Sequence, residues 1–146
     1  MSFWPERNFQ AWRPWKANSG RLTADSKNMS FRFEKFEIWH QARKFASTIY
    51  SLTRNFPKEE RFGLIDQLRR AGVSIALNIA EGSDRKSDID FRRFLRLAMG
   101  SLEEVVTALY ISLDQNYIDK KDFDRLYSEA NILAAKINKL IGNLKQ

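Results

Sequence analysis

The chain has 146 residues, 43% of them hydrophobic, no cysteine and a formal net charge of +7. This is the length of one domain with enough apolar content for a real core, and the missing cysteine excludes a disulfide framework and thiolate metal sites. No run of about 18 apolar residues is present and the N-terminus opens on Trp4, Pro5 and Arg7, so neither a membrane span nor a signal peptide is expected and the expected location is cytoplasmic.

Residues 1–30 hold Trp4, Trp12, Trp15, Pro5 and Pro14 and a polar run from Asn18 to Asn28, with no sustained period. They read as an irregular arm. Three tryptophans beside Arg7, Arg13 and Lys16 are of the kind that stack on single-stranded bases. Met29 stands as an alternative start, which would make residues 1–28 an upstream extension. The arm contributes five basic and two acidic side chains, a net of +3, leaving +4 for residues 31–146.

From residue 35 to 54, Trp39, Ala42, Phe45, Ala46, Ile49 and Leu52 fall at spacings of three and four. That spacing predicts a first amphipathic helix. Pro57 then suits a first helical position, and Glu59 and Glu60 suit the positive end of a helix dipole. A second helix is predicted over 57–81, with Ile65, Leu68, Gly72, Ile75 and Ile79 as its core stripe. Its second half, RRAGVSIALNIAEG from Arg69 to Gly82, is apolar nearly all round. Such a helix is buried on at least two sides.

The few polar groups of this helix form a stripe of their own, Arg70, Ser74, Asn78 and Glu81. Gly82 is expected to end the helix in the left-handed conformation. Ser87 with Asp90 resembles a capping box and opens a third helix over 87–114. One stripe of it is Phe91, Phe94, Ala98, Leu102, Val105 and Leu109; a second is Leu97, Ala108 and Ile111, with Ser101 and Glu104 among them. Asp119 with Asp122 opens a fourth helix over 119–144. Four long helices joined by short turns predict an all-α, up-down-up-down antiparallel four-helix bundle over 31–146.

The chemistry-bearing residues are sparse. His40 is the only histidine and has no second ligand. Glu103 and Glu104 are adjacent and diverge around their helix, and no phosphate loop, nucleophile elbow or Glu-x-x-His pair is present. No enzyme, cofactor, metal or small-molecule substrate is expected.

The polar stripe is expected to be buried, with Arg70 paired to Glu104 and with Ser74, Asn78, Glu81 and Ser101 fixing helix register. Val73, Ala76, Leu77, Ala80, Leu97 and Ala108 are the expected subunit interface, because two all-apolar faces exceed what one core needs. Arg85, Lys86, Arg92, Arg93 and Arg96 cluster around the turn between helices two and three. They read either as a phosphate-binding patch or as a solvated face paired with Asp84, Asp88 and Asp90, Arg92 being four residues from Asp88.

The run Gln67 to Leu109 resembles the four-helix-bundle proteins encoded in intervening sequences of large-subunit ribosomal RNA genes. Asn-Ile-Ala-Glu-Gly at 78–82 matches the family pattern, as do Phe94, Leu95, Ala98, Gly100, Ser101 and Glu104. The likeness covers Phe31 to about Leu144. It implies a homopentameric barrel. A related branch comprises the accessory proteins of diversity-generating retroelements, which associate with a reverse transcriptase and nucleic acid. The resemblance implies no catalytic residues. The expected function is that of an oligomeric accessory protein binding RNA or DNA through phosphates, and the alternative is an interaction scaffold without nucleic acid.

Overall fold

The structure is a computed structural model that describes residues 31–145. The reading of residues 1–30 as an irregular, tryptophan-bearing arm lies outside them. A 3-10 turn at Arg32–Lys35 leads into helix α1, Glu37–Thr53, and a second at Lys58–Glu60 precedes α2, Leu64–Ser83. Helix α3 is Asp88–Asp114 and α4 is Lys120–Asn143. No strand occurs among the described residues.

Each helix packs against two neighbours in the cyclic order α1, α2, α3, α4, and the backbones of the diagonal pairs stay farther apart. Side-chain contacts place the neighbours antiparallel. Arg69 Nε, early in α2, donates to Thr53 Oγ1 at the end of α1 at 2.9 Å. Tyr110, late in α3, packs on Phe123 at the start of α4 with ring centres 4.8 Å apart. Lys136, late in α4, reaches Glu37 at the start of α1 at 2.8 Å. The expected up-down-up-down bundle is the observed one, and at 1.5 Å per residue α3 alone is about 40 Å long.

The core is built from the stripes that helical periodicity selects. Ile49, Leu68, Ile75, Ile79, Leu95, Val105, Leu109, Leu126 and Ile137 are fully buried. Of the expected α2 stripe only Ile65 is less than buried. All six residues of the first α3 stripe are buried.

Two local expectations are corrected. The second helix does not begin at Pro57. The Glu60 carboxylate reaches forward to accept from Leu64 N at 2.8 Å, and a side chain on Gly63 would collide with that carboxylate. Glycine at 63 and an acid at 60 thus set the α-helical start seven residues later than Pro57. Nor does Gly82 end α2 in a left-handed conformation, since no glycine among the described residues has positive φ. Gly82 is inside the helix and buried, where a Cβ would meet Phe94 Cβ at 2.6 Å and Phe91 Cδ2 at 2.9 Å. Its missing side chain lets α2 and α3 approach closely.

The two later helix starts form as read. Ser87 Oγ accepts from Asp90 N at 3.2 Å and donates to the Asp90 carboxylate at 2.9 Å, while Asp119 accepts from Asp122 N at 2.7 Å. Each cap satisfies an amide that a helix start leaves unpaired.

Candidate nucleic-acid interface

The Ser87 cap aims the first two turns of α3 so that Arg92, Arg93 and Arg96, with Ile89, line one open depression of about 530 Å³. Spacings of three and four put these side chains on one face. Ile89, 65% exposed, supplies its apolar part. Arg85 and Arg93 both lie over the ring of Phe94, at 4.7 and 5.4 Å from its centre. Phe94 is itself buried, so the core holds the platform on which two of the basic groups rest.

None of the expected ion pairs of this cluster with Asp84, Asp88 and Asp90 forms among the described residues. Arg85 is paired with Glu81. Arg92, however, does not pair with Asp88. Its Nη1 donates to the carbonyl of Leu144 at 3.2 Å, and the Asp88 carboxylate accepts the amide of Lys145 at 3.0 Å. The end of the chain therefore occupies both members of an i, i+4 pair that helix geometry would otherwise join. Asp90 is taken by Ser87. Among the described residues no ion pair involves Lys86, Arg92, Arg93 or Arg96.

The polar stripe divides by side-chain length. Ser74 Oγ and Ser101 Oγ meet across α2 and α3 at 2.9 Å, and Asn78 Nδ2 donates to the Ser74 carbonyl at 2.9 Å and to its hydroxyl at 3.0 Å. Ser101 is buried, and Ser74 and Asn78 are half-buried. Arg70, Glu81 and Glu104 are exposed, contrary to the expected buried stripe. Arg70 pairs with Asp66 at 3.6 Å within its own helix, and Gln67, one turn earlier, donates to Glu104 at 3.4 Å instead. Long charged side chains reach water from such positions and avoid the cost of desolvation; short hydroxyls and amides do not reach it and bond across the seam.

Of the expected interface residues, Leu77 and Leu97 are 62% and 52% exposed, and Val73, Ala76 and Ala80 are half-buried. Ala108 is inside the chain's own core at 4%. It is therefore no part of an exposed face, because α3 turns that position toward the bundle while Leu97 and Ile111 on the same stripe stay outward. Ile89 and Lys145 were not singled out by periodicity, and Leu144 was read only as a buried residue of the fourth helix. Ile89 carries a signal in retrospect, a large apolar residue among the charges of a helix start. The contacts of Leu144 and Lys145 carry none, being backbone groups.

His40 is exposed and its Nε2 lies 2.7 Å from the Glu34 carbonyl, a tie between α1 and the turn before it. No group of three His, Asp or Glu side chains is placed to hold a metal among the described residues. No helix among them is long and apolar enough to cross a membrane.

The fold and this rim define an all-α antiparallel four-helix bundle that gathers basic side chains at one end. Comparison with known families assigns the chain further: residues 34–139 match the model of the 23S rRNA-intervening sequence protein, and the chain belongs to that family. Among solved structures it is similar to a protein of unknown function from the S23 ribosomal protein family of Bacteroides thetaiotaomicron VPI-5482. The two are 22% identical with a TM-score of 0.65, over 71% of this chain and 97% of that one. That likeness concerns the fold alone. No curated protein matches the chain significantly.

Proposed function

We propose that the chain is a non-enzymatic, oligomeric accessory protein that binds RNA or DNA through backbone phosphates. The observation that carries the reading is the trio Arg92, Arg93 and Arg96 around one open depression, with the neighbouring Asp88 and Asp90 engaged elsewhere. Guanidinium groups match phosphate oxygens in geometry as well as charge. Arg85 and Lys86 extend the same rim. A single copy has few such groups, so an assembly that repeats the rim, a homopentamer by family resemblance, gains by avidity, about a hundredfold or more.

The decisive experiment is titration of a labelled mixed-sequence RNA against wild type and the Arg92→Ala, Arg93→Ala, Arg96→Ala triple variant at several salt concentrations. Each phosphate contact contributes about 0.7 to 0.9 to the slope of log affinity against log salt. The triple variant is expected to lose affinity and to flatten that slope. Unchanged affinity and slope would reduce the rim to a solvated face.

A second reading, an oligomeric scaffold without nucleic acid, is favoured by the exposed Leu77 and Leu97 on α2 and α3. Wild type that assembles but binds no RNA or DNA at low salt would select it. A reverse transcriptase remains the protein partner to test if the gene lies beside one.

A further inference from the structure

The basic end of the bundle also carries an aromatic column that phosphate contacts leave unused. Phe31 and Phe33 stack with ring centres 5.5 Å apart and 11° between their planes. Phe33 lies 4.7 Å from Trp39, and the Arg43 guanidinium lies 5.1 Å over the Trp39 ring. At the other end of the column Phe31 is 67% exposed.

Phe31, Arg32 and Phe33 form one wall of a depression of about 250 Å³, and Ala80, Glu81, Ser83 and Asp84 at the end of α2 form the other. That is several times the roughly 30 Å³ share of one water molecule. Glu81 is neutralised by Arg85. Asp84 has no ion pair among the described residues. Arg32 stands in the wall, and Arg85 and Lys86 follow Asp84 in the chain.

We infer that this depression seats one unpaired base of a single-stranded nucleic acid, its face on the Phe31 ring, its amino edge toward Asp84, and its flanking phosphates toward Arg32 and Lys86. The inference rests on the nucleic-acid reading above and narrows it to single strands. An exposed ring beside cations is the pairing that holds single strands without regard to sequence, since every base has a face to stack. A duplex already stacks its bases on one another and offers no free face. The lone carboxylate disfavours a phosphate in the depression itself and suits an amino donor such as that of cytosine.

The test compares a labelled single-stranded RNA with a duplex of the same length, titrated against the full chain and its Phe31→Ala, Phe31→Tyr and Arg92/Arg93/Arg96→Ala variants. Circular dichroism confirms that each variant is folded. Wild type should bind the single strand more tightly than the duplex. Phe31→Ala should weaken single-strand binding about tenfold and leave duplex binding unchanged. Phe31→Tyr should bind as wild type does, and the triple arginine variant should weaken both. A Phe31→Ala protein that binds the single strand as wild type does would overturn the inference, as would equal binding of the two probes. Wild type that binds neither probe would overturn the nucleic-acid reading itself.

Discussion

Ser74 and Ser101, 27 residues apart in the chain, place their hydroxyl oxygens 2.9 Å apart across the seam between α2 and α3. Asn78 donates to the same Ser74 hydroxyl, so the three side chains form one polar knot beside the exposed Leu77 and Leu97. Ser101→Ala is expected to cost about 0.5–1.5 kcal/mol, the net worth of a typical hydrogen bond. A double-mutant cycle with Ser74→Ala, read by urea melting, should show coupling of about 0.5 kcal/mol or more. Additive effects would mean that the two hydroxyls act independently.

Gly72 and Gly82 predict unequal responses to alanine. At Gly82 the new methyl meets Phe94 Cβ at 2.6 Å, an atom that moves only with its helix, and overpacking of this kind costs about 1–3 kcal/mol. At Gly72 it meets Ile49 Cδ1 at 2.8 Å, the far end of a flexible side chain. The gain in helix propensity, about 1 kcal/mol, then offsets most of the strain. Thermal melting should rank Gly82→Ala well below Gly72→Ala, and equal loss at both sites would contradict the close-approach role of Gly82.

Acid should loosen the contact between the first and last helices. The hydrogen bond from Lys136, and then its charge, hold the Glu37 carboxyl below its ordinary value of 4.5. The unfolded chain binds this proton first as pH falls, so the contribution is present above about pH 4.5 and is lost as pH drops through the folded-state value. Lys136→Gln should remove that part of the acid dependence. A variant whose stability falls with acid as steeply as wild type's would show that the pair contributes nothing.

At the opposite end, alkali is the sensitive direction. Partial burial, then the charge of Glu60 and the hydrogen bond to it, then the charge of Glu59, raise the Tyr117 phenol above its ordinary value of 10.0. Its hydroxyl donates to Glu60 Oε1 at 3.2 Å, and the other oxygen of that carboxylate caps α2. The unfolded phenol ionises first, so this contribution is complete below about pH 10 and lost as pH rises through the folded-state value. Spectrophotometric titration should show one tyrosine ionising later in wild type, and earlier in Glu60→Gln.

Assembly is testable without disturbing the fold. Ala76 is half-buried and packed against the core, so Ala76→Arg should damage the bundle and the oligomer together. Leu77 and Leu97 are exposed in the single chain, and the double variant Leu77→Asp, Leu97→Asp should keep its helical circular dichroism while light scattering falls to the monomer mass. Wild type that is monomeric at micromolar concentration would end the oligomer proposal.

Periodicity found all four helices because burial of an amphipathic stripe depends on spacings that a helix fixes locally. Leu68, Ile75 and Ile79 are core residues in the sequence and in the fold for this one reason. The Ser87 and Asp119 caps were legible for a related one, since a cap and the amide it satisfies lie three residues apart. Local signals failed where another group competed, within the same turn or from the neighbouring helix. Pro57 was a sound helix start until Glu60 and Gly63 formed a better one, and Gly82 was a sound helix end until Phe91 and Phe94 needed the space.

The basic rim divides in the same way. That Arg92, Arg93 and Arg96 share a face follows from helical geometry alone. Whether they are neutralised does not, because Asp88 and Arg92 stand at pairing distance in any helix, and only the folded bundle brings the backbone of Leu144 and Lys145 within hydrogen-bonding reach of them. Likewise Arg70 and Glu104 were matched by counting along two helices, whereas the fold left both in water and joined Gln67 to Glu104. Apolar spacing is a property of the chain. The choice of partner by a charge is settled by which groups the packed helices bring within reach and by what each would lose on leaving water.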